Sequence, residues 1–454
     1  MKYSIFTFFL VGIFFLGTNK SFAQQTIGLR AAVDSALKNN LQVKQAMFQG
    51  ELSEQDVLQA KMNLFPSISG SVSGQRNWGL IFDQTAGSLF NTAVTSAGAG
   101  VNAQVVLFGG FQKINQISMN KYQLLSNQSN IEKVKNDLIL SVVTKYLEAL
   151  TNKDLLTAAQ QQVELSKQQL EAQQYSYDVG NTALADLSQA KSQLATDELN
   201  MTTAQNAYDL SILDLKQLME MNPIEQIVLE KPPLPNVNEL TSSYVAEDIF
   251  QEAIKRYPDI KVAEYNSLVA KKNIDISRGG FYPQLSIGAG YNTNYSSQAG
   301  RVISVDPYVV MPLSFGRQLD ENRSQNVFAS LSIPIFDNYR RNITYRKAKI
   351  SYESALNDER IAKNNLNKII NQAVLDLRAA EKKYYSNEVA FKSASDAFDV
   401  IKQRYEVGLA NAVELSTQQT AMNRAEFDFI QARYDFIFKS KVIDFYLGRP
   451  ITFN

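Results

Sequence analysis

The chain of 454 residues sets 45 Lys+Arg against 45 Asp+Glu and contains neither His nor Cys. Without Cys there are no disulfides, thiolate metal sites, iron–sulfur clusters or cysteine nucleophiles; without His there is no Ser-His-Asp triad and no histidine-ligated metal. Most enzyme mechanisms are thereby excluded and only carboxylate-based chemistry survives; no enzyme, cofactor or metal site is expected, and the balanced charge gives no reason to expect a nucleic-acid partner.

Residues 1–23 read as an export signal. Lys2 supplies the positive end, Tyr3 to Leu16 is almost wholly apolar, and Ser21-Phe22-Ala23 fits the small-x-small cleavage rule, so the mature chain is expected to begin at Gln24. The run is short for a membrane-spanning helix, and no other run approaches 18 apolar residues. If the protein enters a membrane, helices are not the means.

From there the chain reads as one unit written twice, 24–222 and 244–454, around a Pro-rich linker at 223–243 that holds Pro232, Pro233 and Pro235. Leu64-Phe65-Pro66-Ser67-Ile68-Ser69 recurs 217 residues later as Phe281-Tyr282-Pro283-Gln284-Leu285-Ser286. Further on the offset is 228: Val105-Val106-Leu107-Phe108 matches Ile333-Pro334-Ile335-Phe336, and Tyr177-x-Val179-Gly180 matches Tyr405-x-Val407-Gly408. Each copy opens with helix, over about 30–62 and 245–278. Two strands follow in each, about 66–76 and 98–108, then about 283–295 and 326–336. They alternate with the strand period: Leu285, Ile287 and Ala289 oppose Ser286, Gly288 and Gly290, and Val327, Ala329 and Leu331 oppose Asn326, Ser330 and Ser332. Pro334 implies an end or edge position there. The connectors 76–98 and 296–325 read as polar, Gly-containing loops.

A long helix comes next in each copy, about 111–179 and 338–407. Phe111 to Val179 is 69 residues without Gly or Pro, about 100 Å of helix at 1.5 Å per residue. A heptad runs through Val142, Ala149, Leu156, Val163 and Leu170, and through Ile370, Leu377, Tyr384, Phe391 and Phe398, as coiled-coil packing requires. In the first copy the second seam is polar, with Lys145, Asn152, Ser166 and Gln173, so a dry two-stranded coil is not expected there. A turn and a shorter helix, about 182–222 and 411–447, close each copy.

Strands of about ten residues with small uncharged polar faces suit a membrane barrel. Four strands cannot close one, and an open edge is not tolerated in lipid, so several chains are expected to contribute. A half-buried soluble sheet gives the same alternation, which leaves a non-conducting periplasmic coiled-coil protein as the alternative.

The doubled order helix, strand, strand, long helix, turn, helix resembles the TolC outer-membrane efflux family over essentially the whole mature chain, on the Pro66 and Pro283 strand starts and the paired Tyr-x-Val-Gly turns. The fold class implied is mainly α with a small membrane β part: a homotrimer whose 12-stranded barrel lies in outer-membrane lipid and continues into a periplasmic α-helical barrel. The implied function is a passive exit duct of a tripartite efflux or type I secretion system, working with a periplasmic adaptor (membrane fusion) protein and an inner-membrane pump. The resemblance also makes the turns Val179-Gly180-Asn181-Thr182 and Val407-Gly408-Leu409-Ala410 the adaptor-docking tip, although each glycine alone is a helix C-cap. Asp186 and Glu414, six residues past the glycines, become the periplasmic constriction. By themselves they are acids in helix first turns, with Asn411 and Glu414 at capping-box spacing. Glu414 matches a family acid at the constriction, but the family's second acid is Thr417 here, and an Arg found at some members' tips is absent. Trp78, the only Trp, is either loop packing or a membrane-interface anchor. It opens Trp78-Gly79-x-x-Phe82-Asp83, which pairs in sequence with Phe315-Gly316-x-x-Leu319-Asp320.

Overall fold

The computed structural model describes residues 25–231, 244–305, 308–449 and 451. The export signal, most of the Pro-rich linker and the last residues lie outside them. In chain order the first half holds β1 (Gln25–Ile27), α1 (Leu29–Asn39), α2 (Leu41–Met62), β2 (Ser67–Asn77), β3 (Leu80–Asp83), β4 (Ser88–Asn91), β5 (Val94–Gly109), α3 (Gln112–Asp178) and α4 (Leu184–Leu218). The second half holds β6 (Ile227–Leu229), α5 (Ala246–Ala253), α6 (Pro258–Gly279), β7 (Gln284–Ser296), β8 (Gly300–Val305), β9 (Tyr308–Pro312), α7 (Phe315–Glu321), β10 (Ser324–Ser332), α8 (Arg340–Glu406) and α9 (Ala412–Tyr446).

The two long helices have 67 residues each. α3 packs against α2 and α6 near its start and against α4 near its end; α8 packs likewise against α6 and then α9. Helix breaks fall where the sequence supplies a stop. Asn40 separates α1 from α2 and caps the latter, its Oδ1 accepting from the Gln42 N–H at 2.9 Å. Pro258 sits in the first turn of α6, where its missing N–H costs nothing. Among the described residues no helix is long and apolar enough to cross a membrane.

Heptad positions carry the two cores. Val142, Ala149, Leu150 and Tyr146 are buried with Leu215, Met219, Tyr434 and Ile437 in one cluster; Ile370, Leu377, Tyr384 and Phe436 form the other with Ile249 and Ile260. Each fully buried large side chain contributes about 1.5–3 kcal/mol. β1 and β6 form a short parallel pair at the side of the first core, and the Tyr146 hydroxyl donates to the Glu230 carbonyl at 2.6 Å. Residues 227–229 of the linker are thus strand rather than free extended chain.

Four long strands make one antiparallel sheet in the order β10–β7–β5–β2. Its outer strands, β2 and β10, are exposed along their whole length and have no partner on their outer edges among the described residues, so the sheet is open. β10 stops two residues short of Pro334. Small residues let side chains cross the sheet: a Cβ on Gly288 would lie 2.4 Å from the Phe328 ring.

One expectation needs correction, and one sequence pairing has no structural counterpart. The connectors between strands are not simple loops: β3 and β4 form a hairpin in the first, and β8, β9 and α7 occupy the second. The paired Gly…Asp pattern also has no common structure. Asp83 ends β3, is buried, and accepts from the Thr85 and Ala86 N–H groups and from the Ser296 hydroxyl. Asp320 lies in α7 and pairs with Arg323 at 3.1 Å. The first acid closes a turn, whereas the second sits on a helix surface.

Strand-to-helix junctions do share a conformation. Gly110 and Phe111 have φ of +61° and +62°, and Asn338 and Tyr339 have +54° and +64°. Two consecutive left-handed residues aim each long helix away from the sheet. Gly110 has no alternative, since a Cβ there would lie 2.1 Å from the Gly279 carbonyl oxygen.

Candidate functional site

The far ends of α3 and α8 terminate identically. At the first, the Gly180 N–H bonds the Tyr177 carbonyl at 2.9 Å and the Asn181 N–H reaches Ser176 at 2.8 Å; at the second, Gly408 bonds Tyr405 at 3.0 Å and Leu409 reaches Arg404 at 2.7 Å. Both are Schellman caps with the glycine left-handed. The caps leave apolar side chains bare: Val179, Val407 and Leu409 are all exposed, with Asn181 beside them, while Thr182 and Ala410 are half-buried.

Behind the turns, Leu187 and Leu415 are buried and anchor the starts of α4 and α9. The Thr182 hydroxyl donates to Asp186 Oδ2 at 3.0 Å, fixing that half-buried carboxylate in the first turn of α4. Asn411 caps α9: its Oδ1 accepts from the Glu414 N–H at 2.8 Å, and its Nδ2 donates to Glu414 Oε1 at 3.1 Å. Glu414 remains exposed.

Between the two hairpins runs a groove of about 800 Å³, lined at its mouth by Asn181, Thr182, Asp186, Tyr405, Gly408 and Ala410. Asp186 and Tyr405 meet in it. Burial first, and then the Asp186 carboxylate, push the Tyr405 phenol above its ordinary value. Glu414 does not line this groove, so the two predicted constriction acids stand on different surfaces of one chain.

Above the groove the hairpins are joined by polar groups. The buried Asp197 carboxylate accepts from the Ser166 hydroxyl and from Gln193 Nε2 at 3.2 and 3.1 Å. Gln419 Nε2, on α9, donates to Ser166 Oγ at 3.3 Å, and Ser416 Oγ donates to Gln193 Oε1 at 2.8 Å. Further along, Gln162 Nε2 donates to Glu426 Oε2 at 3.4 Å, and burial raises the Glu426 carboxyl above its ordinary range. Among the described residues four buried polar atoms of this seam, on Gln162, Gln169, Gln419 and Asn423, have no partner. Ser166 and Gln173 announced a wet seam in the sequence. Asp197 and Gln419 had no such signal, because a polar residue on a helix is ordinarily a solvated one. Trp78 lies at the end of β2 remote from the long helices, 73% exposed, with the Arg76 guanidinium 5.7 Å from its ring centre.

A family model described as outer membrane efflux protein matches residues 32–219 and 249–449. Outer membrane efflux protein BepC of Brucella suis is 20% identical over 414 residues, which span 91% of this chain and 83% of that protein. Outer membrane protein TolC of Escherichia coli is 24% identical over 323 residues, 68% of this chain and 61% of that protein. The solved structure of the outer membrane protein VceC from Vibrio cholerae superposes with a TM-score of 0.74 at 16% identity, covering 93% of this chain and 97% of that one.

Proposed function

Because the chain belongs to the outer membrane efflux protein family, we propose that this outer-membrane channel protein works as a homotrimer: the exit duct of a tripartite efflux or type I secretion system. The observation that carries the reading is the open sheet. β2 and β10 leave two rows of backbone groups unpaired, and in lipid such groups cost several kcal/mol each, so the edges must pair with other chains. Two chains would supply eight strands, a barrel filled by its own side chains; three supply 12 and leave a lumen. The chain is then two copies of one unit, each giving two strands and one long helical hairpin, so that three chains surround a single axis.

The paired turns are the surface for a periplasmic adaptor, which passes substrate from an inner-membrane pump. Exposed Val179, Val407 and Leu409 give a partner apolar area on rigid, capped ends, and the groove between the hairpins gives it a seat. Asp186 and Glu414 narrow the inner end of the duct. Trp78 marks the outer membrane surface.

The test is assembly followed by conductance. Purified protein should run as an oligomer in cold detergent and as a monomer after boiling, and should open channels in planar bilayers. A monomer that stays soluble without detergent overturns the reading.

A further inference from the structure

The start of α8 carries a charge pattern that contacts within one chain do not balance. From 337 to 352 there are five bases, Arg340, Arg341, Arg346, Lys347 and Lys349, and one acid, Asp337, in a chain whose totals balance. The first turn holds no acid. A helix N-terminus is the positive end of the dipole, where bases are unfavourable. Asp337 answers only part of this charge, pairing with Arg341 at 3.1 Å and reaching Arg340 at 4.0 Å. In α3 the corresponding stretch, 109–124, has Lys113 and Lys121 and no acid at all.

These bases sit among exposed aromatic and aliphatic side chains at the strand-to-helix junction. Ile335 is 94% exposed and Phe336 79%. Tyr339 is bulky yet held at φ +64°, a conformation such residues rarely adopt, with nearly half its surface bare. Arg346 lies over the Tyr339 ring at 5.6 Å and donates to its hydroxyl at 3.2 Å; Lys349 lies over Tyr345 at 4.8 Å. Ile343 and Ile350, one heptad apart, are also exposed. Beyond the part that a neighbouring chain paired at the β10 edge would cover, a water-filled passage gives no reason to bare these side chains. A lipid headgroup boundary does: rings and aliphatic chains meet acyl tails, and the long bases extend to phosphates.

We propose that the start of α8, with Arg340, Arg346, Lys347 and Lys349 beside Tyr339, binds the phosphates of anionic phospholipids in the periplasmic leaflet of the outer membrane. The proposal rests on the membrane sheet of the preceding section and adds a ligand class to its inner rim. Each base near an anionic surface is worth about fivefold in affinity.

The purified, delipidated oligomer, offered equal amounts of phosphatidylglycerol, phosphatidylethanolamine and phosphatidylcholine in mild detergent, should retain phosphatidylglycerol at least about tenfold over phosphatidylcholine by native mass spectrometry. The triple variant R340Q/R346Q/K347Q should lose that preference, and R340K/R346K should keep it. The boiling-sensitive oligomer band shows that each variant is assembled. Retention in the proportions of the mixture by the natural protein, equal enrichment by the triple variant, or displacement of the lipid by millimolar glycerol phosphate overturns the proposal. Failure of the channel reading would appear as loss of the oligomer band itself, before any lipid is measured.

Discussion

Gly180 and Gly408 hold the same left-handed backbone, φ +77° in each, two residues past the ends of the two 67-residue helices. A Cβ at either position meets nothing within 4 Å, so a substitution there has a purely conformational cost. Gly180→Ala and Gly408→Ala should each destabilise the tip by about 1–2 kcal/mol. The helices α4 and α9 test the converse. Gly448 closes α9 at φ +71°, while Glu220 closes α4 with the same bonding pattern at φ +54°. Glu220→Gly should stabilise by up to about 1 kcal/mol, less whatever is lost when the Leu41 N–H gives up Glu220 Oε1 at 3.4 Å. Thermal melts of the detergent-solubilised protein measure both effects.

What was legible in the sequence followed physical periods. Val142 to Leu156 and Ile370 to Tyr384 are heptads because they are buried. The Tyr-x-Val-Gly turns were legible because a left-handed cap needs glycine. Less was legible where side chains bond across distant segments. Nothing near Asp83 signals its bond to Ser296, and nothing near Asp197 announces Ser166 and Gln193 as partners. The left-handed turn at Asn338 and Tyr339 was hidden because neither residue is glycine. The hairpins β3–β4 and β8–β9 were missed because short strands among polar residues lack the length over which alternation becomes visible.

The two faces of β10 should respond differently to charge. Val327 is 79% exposed on the face that also carries Ala329 and Leu331; Ser330 is on the other. If the first face meets lipid, Val327→Lys costs about 2–4 kcal/mol near the bilayer middle. Val327→Lys should therefore abolish the heat-sensitive oligomer in outer-membrane fractions, and Ser330→Lys should leave it assembled. Equal behaviour of the two variants would contradict the assignment of faces.

Glu426 predicts a pH dependence. Burial raises its pKa in the folded chain, so the native state holds the proton more tightly than the unfolded chain does. Its charged form therefore weakens the seam at neutral pH. Stability is recovered as pH falls through the raised value toward the ordinary 4.5. Glu426→Gln should raise stability at pH 7 by less than about 1 kcal/mol, since the group is partly solvated, and the variant amide oxygen can still accept from Gln162. The difference from the natural protein should vanish near pH 4. Melting curves across this range check the sign; a variant less stable at pH 7 would show that the carboxylate is stabilised by its neighbours.

Asp186 and Glu414 test the constriction. Asp186 faces the groove mouth beside Tyr405, held by Thr182, while Glu414 stands exposed on the capped start of α9. In the proposed trimer three copies of each acid would surround the axis, where they would repel one another and attract cations. Asp186→Ala combined with Glu414→Ala should raise single-channel conductance and weaken block by multivalent cations. The fold should tolerate the pair. Asn411 Oδ1 accepts from the backbone N–H at 414, which survives truncation, so only the 3.1 Å amide contact and the Thr182 bond are lost. The first is exposed and the second partly buried, and such bonds to carboxylates contribute about 0.5–3 kcal/mol each. Conductance and cation block that match those of the natural protein would remove both acids from the gate and leave them as helix-terminal residues.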